Sequence, residues 1–367
     1  MNSQVPPMKT SSKARKLRIA VVGGGDIGIR NGESAAAAPS VQIAAVYDAN
    51  YEVCRQMARR LSVKPAVNYK DLLARNDIDA VLLSIPHHLH LPLGVAAAEA
   101  GKHVLMEKPL GVDLSAATVL LKTCNKHRVR LTVNFSFRFK PTIQLARRLI
   151  EDGVIGEVAG IQVMHLKFKS AGYWEGGYSA RSPNNWRSSV KKAGGGILIM
   201  GVTHSLDYLR YLTGLEVKRA FAEYGTFASP VEVEDAITVS LQYSNGAIGT
   251  IVASTCWRGK PMREDHIWGT KGLLLLRANS VGLWSTKRWY DRSAGKLHTF
   301  KKFPKVDYTC EWIERFAQAV LSGVPHEISA EDGWINNAVI EAAYQSKAMG
   351  QSIETPPCTL NQRQLLN

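Results

Sequence analysis

The 367-residue sequence predicts a two-domain α/β fold. The first domain is expected to form a doubly wound parallel sheet, because short apolar strands alternate with helical patterns from residue 17 to about residue 140. The second, α+β, is expected to form an open, mostly antiparallel sheet, because its strands follow one another without helices between them. The apolar fraction of 45% is enough for full cores. No apolar run reaches the length of a membrane span.

In the first domain, residues 17–140, five strand patterns are separated by helical ones. The strands are predicted over Leu17–Val22, Val41–Tyr47, Ala80–Ile85, His103–Met106 and Arg130–Phe135. Helices are predicted between them over Tyr51–Leu61, Leu89–Ala100 and Leu114–His127. Residues 1–16 carry prolines, serines and lysines and predict a disordered arm. This arm lacks the apolar segment of a secretory signal.

The second domain, residues 141–367, begins with a joining helix at Pro141. Its strands are predicted over Glu157–Lys169, Val217–Phe227, Ala236–Tyr243, Ala247–Cys256 and Ile267–Leu276, with a hairpin at Asn245–Gly246. Two helices, Tyr308–Leu321 and Ala330–Met349, end the domain. We expect the last one to pack back against the first domain.

The first strand runs directly into three glycines, Gly23, Gly25 and Gly28, which fit G-x-G-x-x-G. Such glycines allow a tight turn, close approach of a pyrophosphate, and close packing of the following helix, whose N–H groups face the phosphates. This pattern predicts a Rossmann dinucleotide-binding domain. Asp26 and Ile27 lie in the same loop and are expected cofactor contacts, although Asp26, a negative charge, is also expected to cap the helix.

The second apolar run ends in Asp48, twenty residues after Gly28. An acidic residue at this distance is placed to accept hydrogen bonds from the adenosine ribose of NAD. We expect NAD rather than NADP, because Asp48 would repel a 2′-phosphate and the next residues, Ala49 and Asn50, provide no cation.

Charge and cysteine content limit the other functions. The net charge is +15, with five Lys or Arg and no acid in residues 9–18 and eight in residues 114–150. No DNA-binding motif accompanies these residues, so solvated helix faces are favoured over nucleic-acid binding. The five cysteines are scattered without C-x-x-C, which favours a reducing cytoplasm and argues against structural zinc. His87, His88 and His90 do not share one face cleanly, and no carboxylate lies near them in the sequence, so no metal site is expected.

Several motifs follow the glycine turn. They are Ser84-Ile85-Pro86-His87 with His90, the run A-G-K-H-V-L-M-E-K-P-L over residues 100–110, and Gly194-Gly195-Gly196 followed by His204 and Asp207. Together they resemble the glucose–fructose oxidoreductase, inositol dehydrogenase and MocA (Gfo/Idh/MocA) family over about residues 17 to 350. The resemblance implies that Ser84, Ile85, Pro86, His87, His90, Glu107 and Lys108 contact the cofactor. It also implies a homodimer or homotetramer formed through the second sheet.

The same motifs suggest the catalytic residues. Lys108 follows a parallel strand, where it can stabilise a developing alkoxide, and His204 has a side chain suited to accepting a hydroxyl proton. Asp207, at i+3 on the predicted helix Ile197–Leu212, can orient His204 or bind substrate. Many relatives place an aspartate four residues before this histidine, where this chain has Met200. Either His204 works with Lys108 alone, or the reaction differs from simple alcohol oxidation, or catalysis is lost.

Residues 171–193 form an aromatic and basic loop with Tyr173, Trp186 and Arg187 as expected substrate contacts, because rings stack on sugars and arginines bind hydroxyls or carboxylates. Packing or dimer contact is the alternative. Arg138 is a further substrate candidate by its position in the family. The predicted reaction oxidises a secondary hydroxyl of a sugar, sugar acid, glycoside or cyclitol with NAD. The alternatives are redox-assisted glycoside cleavage and a non-catalytic nucleotide-binding regulator.

Overall fold

The structure is a computed structural model that describes residues 15–178 and 185–360. The predicted N-terminal arm lies outside the described residues, except for Arg15 and Lys16. No helix in the described part is long and apolar enough to cross a membrane.

The first sheet is parallel and has the strand order β2-β1-β3-β4-β5. These strands are β1 (Leu17–Val22), β2 (Val41–Tyr47), β3 (Ala80–Leu83), β4 (His103–Met106) and β5 (Leu131–Val133). Residues of all five strands are buried in one core, since helices cover both faces of such a sheet. The strand order reverses between β1 and β3, and ligands of open α/β sheets bind at this position.

The helices of this domain are α1 (Asp26–Ala37), α2 (Tyr51–Arg60), α3 (Tyr69–Ala74), α4 (His90–Glu99) and α5 (Leu114–Lys126). The side chains of Asn50 and Asp113 cap α2 and α5. The expectation that Asp26 caps α1 is wrong: the N-cap is Gly25, no side chain caps the helix, and Asp26 is its first residue. A negative charge in the first turn still interacts favourably with the helix dipole.

The second sheet has nine strands in the order β13-β12-β11-β10-β6-β9-β8-β7-β14. They are β6 (Val158–Leu166), β7 (Val217–Gly225), β8 (Ala236–Tyr243), β9 (Ile248–Ser254), β10 (Met262–Gly269), β11 (Gly272–Arg277), β12 (Ser280–Ser285), β13 (His298–Phe300) and β14 (Ile353–Glu354). Every pair is antiparallel except β6 with β9. The predicted fold class is confirmed.

One predicted strand of this sheet is wrong. Ile267–Leu276 is not a single strand, because the chain reverses at Thr270 and Lys271 and forms the hairpin of β10 and β11. A Cβ on Gly269 would lie 2.3 Å from the carbonyl oxygen of Ile155, so the close approach of another backbone segment requires glycine here.

The helices of the second half are α6 (Pro141–Glu151), α7 (Ala171–Gly176), α8 (Val190–Ala193), α9 (Thr203–Thr213), α10 (Tyr308–Ser322) and α11 (Ala330–Met349). The predicted helix Ile197–Leu212 is not uniformly α-helical. Leu198–Val202 forms a π-helix, and α9 begins after it. Insertions of this kind widen a helix and are frequent at functional sites.

The two C-terminal helices contact the first domain. Trp312 and Phe316 of α10 belong to the first core, and the Trp312 indole donates to Thr132 Oγ1 at 3.1 Å. In α11, the Asn337 side chain donates to the carbonyl oxygen of Gly111 at 2.8 Å. These contacts fix the two sheets relative to each other and shape the cleft between them.

Candidate active site

The turn between β1 and α1 has the geometry that a pyrophosphate requires. Gly23 has a φ of +97°, and a Cβ there would lie 2.3 Å from the Ser84 carbonyl oxygen. A Cβ on Gly28 would lie 1.8 Å from the carbonyl oxygen of Gly23, so α1 packs directly on the turn. A Cβ on Gly25, by contrast, would have nothing within 4 Å beyond its chain neighbours. The backbone at the helix N-terminus therefore faces open space, which fits a bound phosphate.

Asp48 follows β2 and lies beside this turn. Its Oδ2 accepts a hydrogen bond from the Gly24 amide at 2.7 Å, and its Oδ1 accepts one from the Asn50 amide at 2.8 Å. Each carboxylate oxygen retains a lone pair for a further donor such as a ribose hydroxyl. On α1, Ile27 is 37% exposed. The turn and Asp48 therefore lie together at one edge of the sheet.

The turns after β3 and β4 are joined by His90. Its two ring nitrogens lie 2.8 Å from the Pro109 carbonyl oxygen and 3.1 Å from the Ile85 carbonyl oxygen. His87 lies 2.8 Å from the Ala193 carbonyl oxygen. Both histidines are buried and contact backbone, so they position the turn that carries Ser84 and its neighbours. Among the described residues, no group of three His, Cys, Asp or Glu side chains is placed to hold a metal.

Glu107 takes part in an amide network at the ends of the strands. Its Oε1 accepts hydrogen bonds from the Asn31 amide at 2.7 Å and the Asn134 amide at 2.6 Å, and Asn31 also donates to Ser84 Oγ at 3.0 Å. The Glu107 side chain therefore links α1 and the segment after β5, and it forms no ion pair with Lys108.

Lys108 extends from the carboxyl end of β4 to the second domain. Its Nζ donates a 2.7 Å hydrogen bond to the carbonyl oxygen of Met200, in the π-helix. The Lys108–Pro109 peptide bond is cis. Burial lowers the pKa of Lys108, against the opposing effect of the Glu107 charge. The ammonium is thus held at the cleft by a neutral acceptor, as stabilisation of an alkoxide requires.

His204 lies one turn further along the same helical segment. Its ring stacks on that of Phe137, with centroids 4.1 Å apart and planes at 11°. Burial, followed by the charges of Lys108 and Arg263, holds the pKa of His204 well below its usual range. Its Nδ1 is buried and has no hydrogen-bond partner among the described residues. The imidazole is therefore neutral near pH 7 and able to accept a proton.

Arg138 and Asp207 are paired with each other inside the protein. The Arg138 guanidinium donates to both Asp207 oxygens, at 2.9 and 2.5 Å, and lies 3.1 Å from Asp332 of α11. The Arg138 and Asp207 side chains are 5% and 2% exposed. The structure therefore joins Asp207 to Arg138 and does not hydrogen-bond it to His204. Although burial disfavours the cation, Asp207 and Asp332 raise the pKa of Arg138.

The aromatic loop packs against the turn after β3. The Trp186 ring packs against His87 with centroids 4.5 Å apart, and Arg187 lies over the Trp186 and Tyr173 rings at 4.6 and 5.3 Å. Trp186 is buried, whereas Tyr173 and Arg187 are partly exposed. Residues 179–184 of this loop lie outside the described residues. The loop thus contributes both packing and accessible polar groups.

The cleft also contains four residues that the sequence analysis did not identify as site residues. They are Lys140 before α6, His165 and Lys167 on and after β6, and Arg263 on β10. His165 and Arg263 are cross-strand partners. His165 and Lys167 lie on the same face of the strand as the buried Val163. Polar residues on a face that otherwise points to the core could have identified these two as site residues from the sequence.

The fold and this cleft define an oxidoreductase that uses a nicotinamide dinucleotide. The family described as "Oxidoreductase family, NAD-binding Rossmann fold" matches residues 17–135, and the "GFO/IDH/MocA C-terminal domain" matches residues 143–275. The chain belongs to the Gfo/Idh/MocA family of oxidoreductases, and its cofactor is NAD. The family resemblance seen in the motifs is confirmed.

Two relatives of this chain are named as dehydrogenases of a sugar derivative and of a cyclitol. A levoglucosan dehydrogenase of Pseudarthrobacter phenanthrenivorans is 28% identical over 294 residues, 71% of this chain and 73% of that protein. A myo-inositol 2-dehydrogenase of Thermotoga maritima is 29% identical over 328 residues, 86% of this chain and 92% of that protein. A solved levoglucosan dehydrogenase in complex with NADH has a TM-score of 0.84 at 25% identity, covering 94% of this chain and 100% of that one.

Proposed function

We propose that this protein oxidises a secondary hydroxyl of a sugar, sugar acid, glycoside or cyclitol, with NAD as the acceptor. The observation that carries the proposal is the convergence of Lys108, at the carboxyl end of β4, and the neutral ring of His204 on one cleft. Relatives that the chain matches over most of its length are a levoglucosan dehydrogenase and a myo-inositol dehydrogenase.

The residues for holding NAD are those of the glycine turn and the strand ends. Gly23, Gly25 and Gly28, with Asp26 and Ile27, bind the pyrophosphate side, and Asp48 binds the adenosine ribose. Ser84 to His87 and Glu107 border the nicotinamide side, where His90 positions the turn. When bound, NAD would supply the acceptor for the hydride that leaves the hydroxyl-bearing carbon.

In the proposed reaction, His204 receives the hydroxyl proton and Lys108 stabilises the oxygen as its negative charge develops. Both roles fit the protonation that the cleft imposes, because His204 is neutral and Lys108 hydrogen-bonds only to a neutral carbonyl. Met200 contributes its backbone oxygen, so its side chain need not carry a charge. Tyr173 and Arg187, at the mouth of the cleft, are proposed to contact substrate. For the buried pair of Arg138 and Asp207, we propose that Asp207 anchors α9 through Arg138 and so positions His204.

The test is incubation of the purified protein with NAD and a panel of sugars, polyols and glycosides, followed by absorbance of NADH and mass spectrometry of the products. A ketone with reduced cofactor supports oxidation, whereas release of the aglycone without net reduction would replace it by glycoside cleavage. If the protein binds NAD but converts no substrate, and Lys108→Met changes only partner binding, the enzyme proposal is wrong and the regulator remains.

We also propose that the open face of the second sheet forms a homodimer or homotetramer. Three apolar side chains on this face are strongly exposed: Ile248, Met262 and Trp284 at 63%, 41% and 38%. Large apolar side chains exposed on one face of a sheet are typical of protein interfaces. Analytical ultracentrifugation of the wild type and of Trp284→Lys would test this, since a charge at the interface should release monomers.

The five free cysteines fit a cytoplasmic location.

A further inference from the structure

The cleft beside His204 contains an excess of positive charge that the proposed reaction does not require. Burial is the main cause that lowers the pKa of five basic groups here, and the charge of Arg263 lowers each of them further: Lys108, Lys140, His165, Lys167 and His204. Arg263 is thus close enough to all five groups for its charge to act on them, and we call these six residues the basic cluster. None of the ion pairs in the described part of the chain includes Lys140, Lys167 or Arg263.

The Phe137 ring contacts Lys140, Arg263 and His204, and so joins these cations to the histidine. The Lys140 Nζ lies 3.1 Å from the Phe137 ring centroid, and the Arg263 Cζ lies 5.1 Å from it. His204 stacks on the same ring at 4.1 Å, so Lys140 must lie on the opposite face. A Cβ on Gly201, in the π-helix, would lie 3.4 Å from the ring of His165, the cross-strand partner of Arg263. The cluster thus extends from Phe137 to the π-helix that receives Lys108.

Besides Nδ1 of His204, two nitrogen atoms of the cluster lack partners in the described part of the chain. Nη2 of Arg263 and Nδ1 of His165 are buried, and neither makes a hydrogen bond within the described residues. His165 is only 6% exposed. Buried polar groups normally have partners, so the three unpartnered nitrogen atoms of this cleft indicate that a ligand supplies the missing hydrogen bonds. Asp265 lies two residues from Arg263 on the same strand; its Oδ2 accepts a hydrogen bond from Tyr208, and its Oδ1 has no partner among the described residues. Burial raises the pKa of this carboxyl to about 6 against the opposing charge of Arg263, with which it forms no ion pair.

We propose that the substrate carries an anionic group, a carboxylate or a phosphate, and that Arg263 binds this group with Lys140 and Lys167 beside it. This inference rests on the proposed dehydrogenase function and narrows its substrate class to sugar acids or sugar phosphates. A planar guanidinium with free N–H groups matches either oxyanion, and uncompensated cations in a partly dry cleft attract a negative ligand.

The experiment compares matched neutral and anionic ligands. D-glucose, D-glucuronate and D-glucose 6-phosphate form one set, and D-galactose, D-galacturonate and D-galactose 6-phosphate form the second. For each compound, kcat/KM with NAD is measured, and binding to the NADH complex is measured by calorimetry. We expect anionic members to bind about 10-fold or more tightly than their neutral partners. Preference between uronate and phosphate identifies the anion.

Variants assign the effect to Arg263. Arg263→Gln should reduce the anionic-to-neutral affinity ratio by about 10-fold, and Arg263→Lys should restore part of it. Lys140→Gln and Lys167→Gln should each lower the ratio, whereas Lys122→Gln, exposed on α5, should leave it unchanged. A wild-type ratio near one, or a ratio that Arg263→Gln does not change, overturns the anion site. Oxidation of neutral sugars with equal efficiency would overturn it while the dehydrogenase function stands. If no compound is oxidised, that function fails, and the calorimetric ratio still decides the anion site.

Discussion

The Nζ of Lys108 donates a hydrogen bond to the carbonyl oxygen of Met200 at 2.7 Å, and this contact crosses from the first domain to the second. The π-helix Leu198–Val202 widens the backbone at this point, so some of its carbonyls are not held by regular α-helical hydrogen bonds. The side chain of Lys108 donates to a neutral backbone oxygen and not to a carboxylate. The lysine is therefore oriented without being neutralised.

We expect Lys108→Met to lower kcat by about 10²- to 10³-fold, because a cation that stabilises a developing oxyanion is removed. NADH affinity, measured by fluorescence, should change much less. Lys108→Arg should restore only part of the activity, since the guanidinium cannot reproduce the single hydrogen bond to Met200. Lys122→Met is the matched control on an exposed helix face, and an unchanged kcat in Lys108→Met would contradict the assigned role.

The glycine turn allows a matched pair of substitutions. In Gly25→Ala the new Cβ meets no protein atom beyond its chain neighbours, so thermal stability should be retained while the methyl group occupies the space for the pyrophosphate. NAD affinity should fall by about 10-fold or more. In Gly28→Ala the Cβ would lie 1.8 Å from a backbone oxygen, which should cost about 1–3 kcal/mol of stability. Equal loss of stability in both variants would contradict the assignment of open space to Gly25.

Asp48 is expected to set the preference for NAD. Asp48→Ala removes acceptors for the ribose and also the charge that repels a 2′-phosphate, so the Kd for NAD should rise by about 10-fold while that for NADP changes less. Asp48→Asn keeps one acceptor and lacks the charge, which separates the two effects. Equal weakening of both cofactors in titrations of Asp48→Ala would show that Asp48 only holds the Gly24 amide.

The sequence predicted the parallel sheet closely because each of its strands is a short buried apolar run between helices. It was less successful where apolar character continues through a turn, as between Ile267 and Leu276. The strands Ser280–Ser285 and His298–Phe300 were also missed. In the site, Lys108 and His204 could be found because motifs surround them. Arg263 could not, because it meets His165 only when β10 pairs with β6, and Lys140 could not, because only the tertiary fold brings the start of α6 to Arg263.

Substitutions of Arg138 and Asp207 distinguish a structural role of this buried ion pair from a role in binding substrate. Arg138→Met leaves Asp207 and Asp332 buried without their shared partner, so we expect a loss of about 3–5 kcal/mol in urea unfolding. The double variant Arg138→Met with Asp207→Leu should lose less than the sum of the two single variants, since the unpaired charge is removed. If Arg138→Met instead keeps its stability and raises only the KM, the guanidinium contacts substrate.

The stability of the ligand-free protein should increase as the pH rises above 7. Burial, followed by neighbouring charges, lowers the pKa of both Lys140 and Lys167 to about 7. Lys140 is opposed by Arg263, and Lys167 by Lys169, Lys108 and Arg263. An unfolded lysine has a pKa of about 10.4, so between about pH 7 and pH 10 the unfolded chain binds more protons than the folded one. Stability then rises with pH, and below about pH 7 both states are protonated and the full penalty remains.

Lys140→Met and Lys167→Met should therefore raise the free energy of unfolding at pH 6.5 by on the order of 1 kcal/mol, and the gain should shrink towards pH 10. The measurement is urea unfolding of variant and wild type across this range, with Lys122→Met as a control whose difference from the wild type stays flat. Uronate or phosphate bound by Arg263 would relieve the same repulsion, so a saturating ligand should reduce the stabilising effect of both substitutions. Variant and wild-type curves that run parallel from pH 6.5 to pH 10 would show that these lysines are solvated and not held close to Arg263.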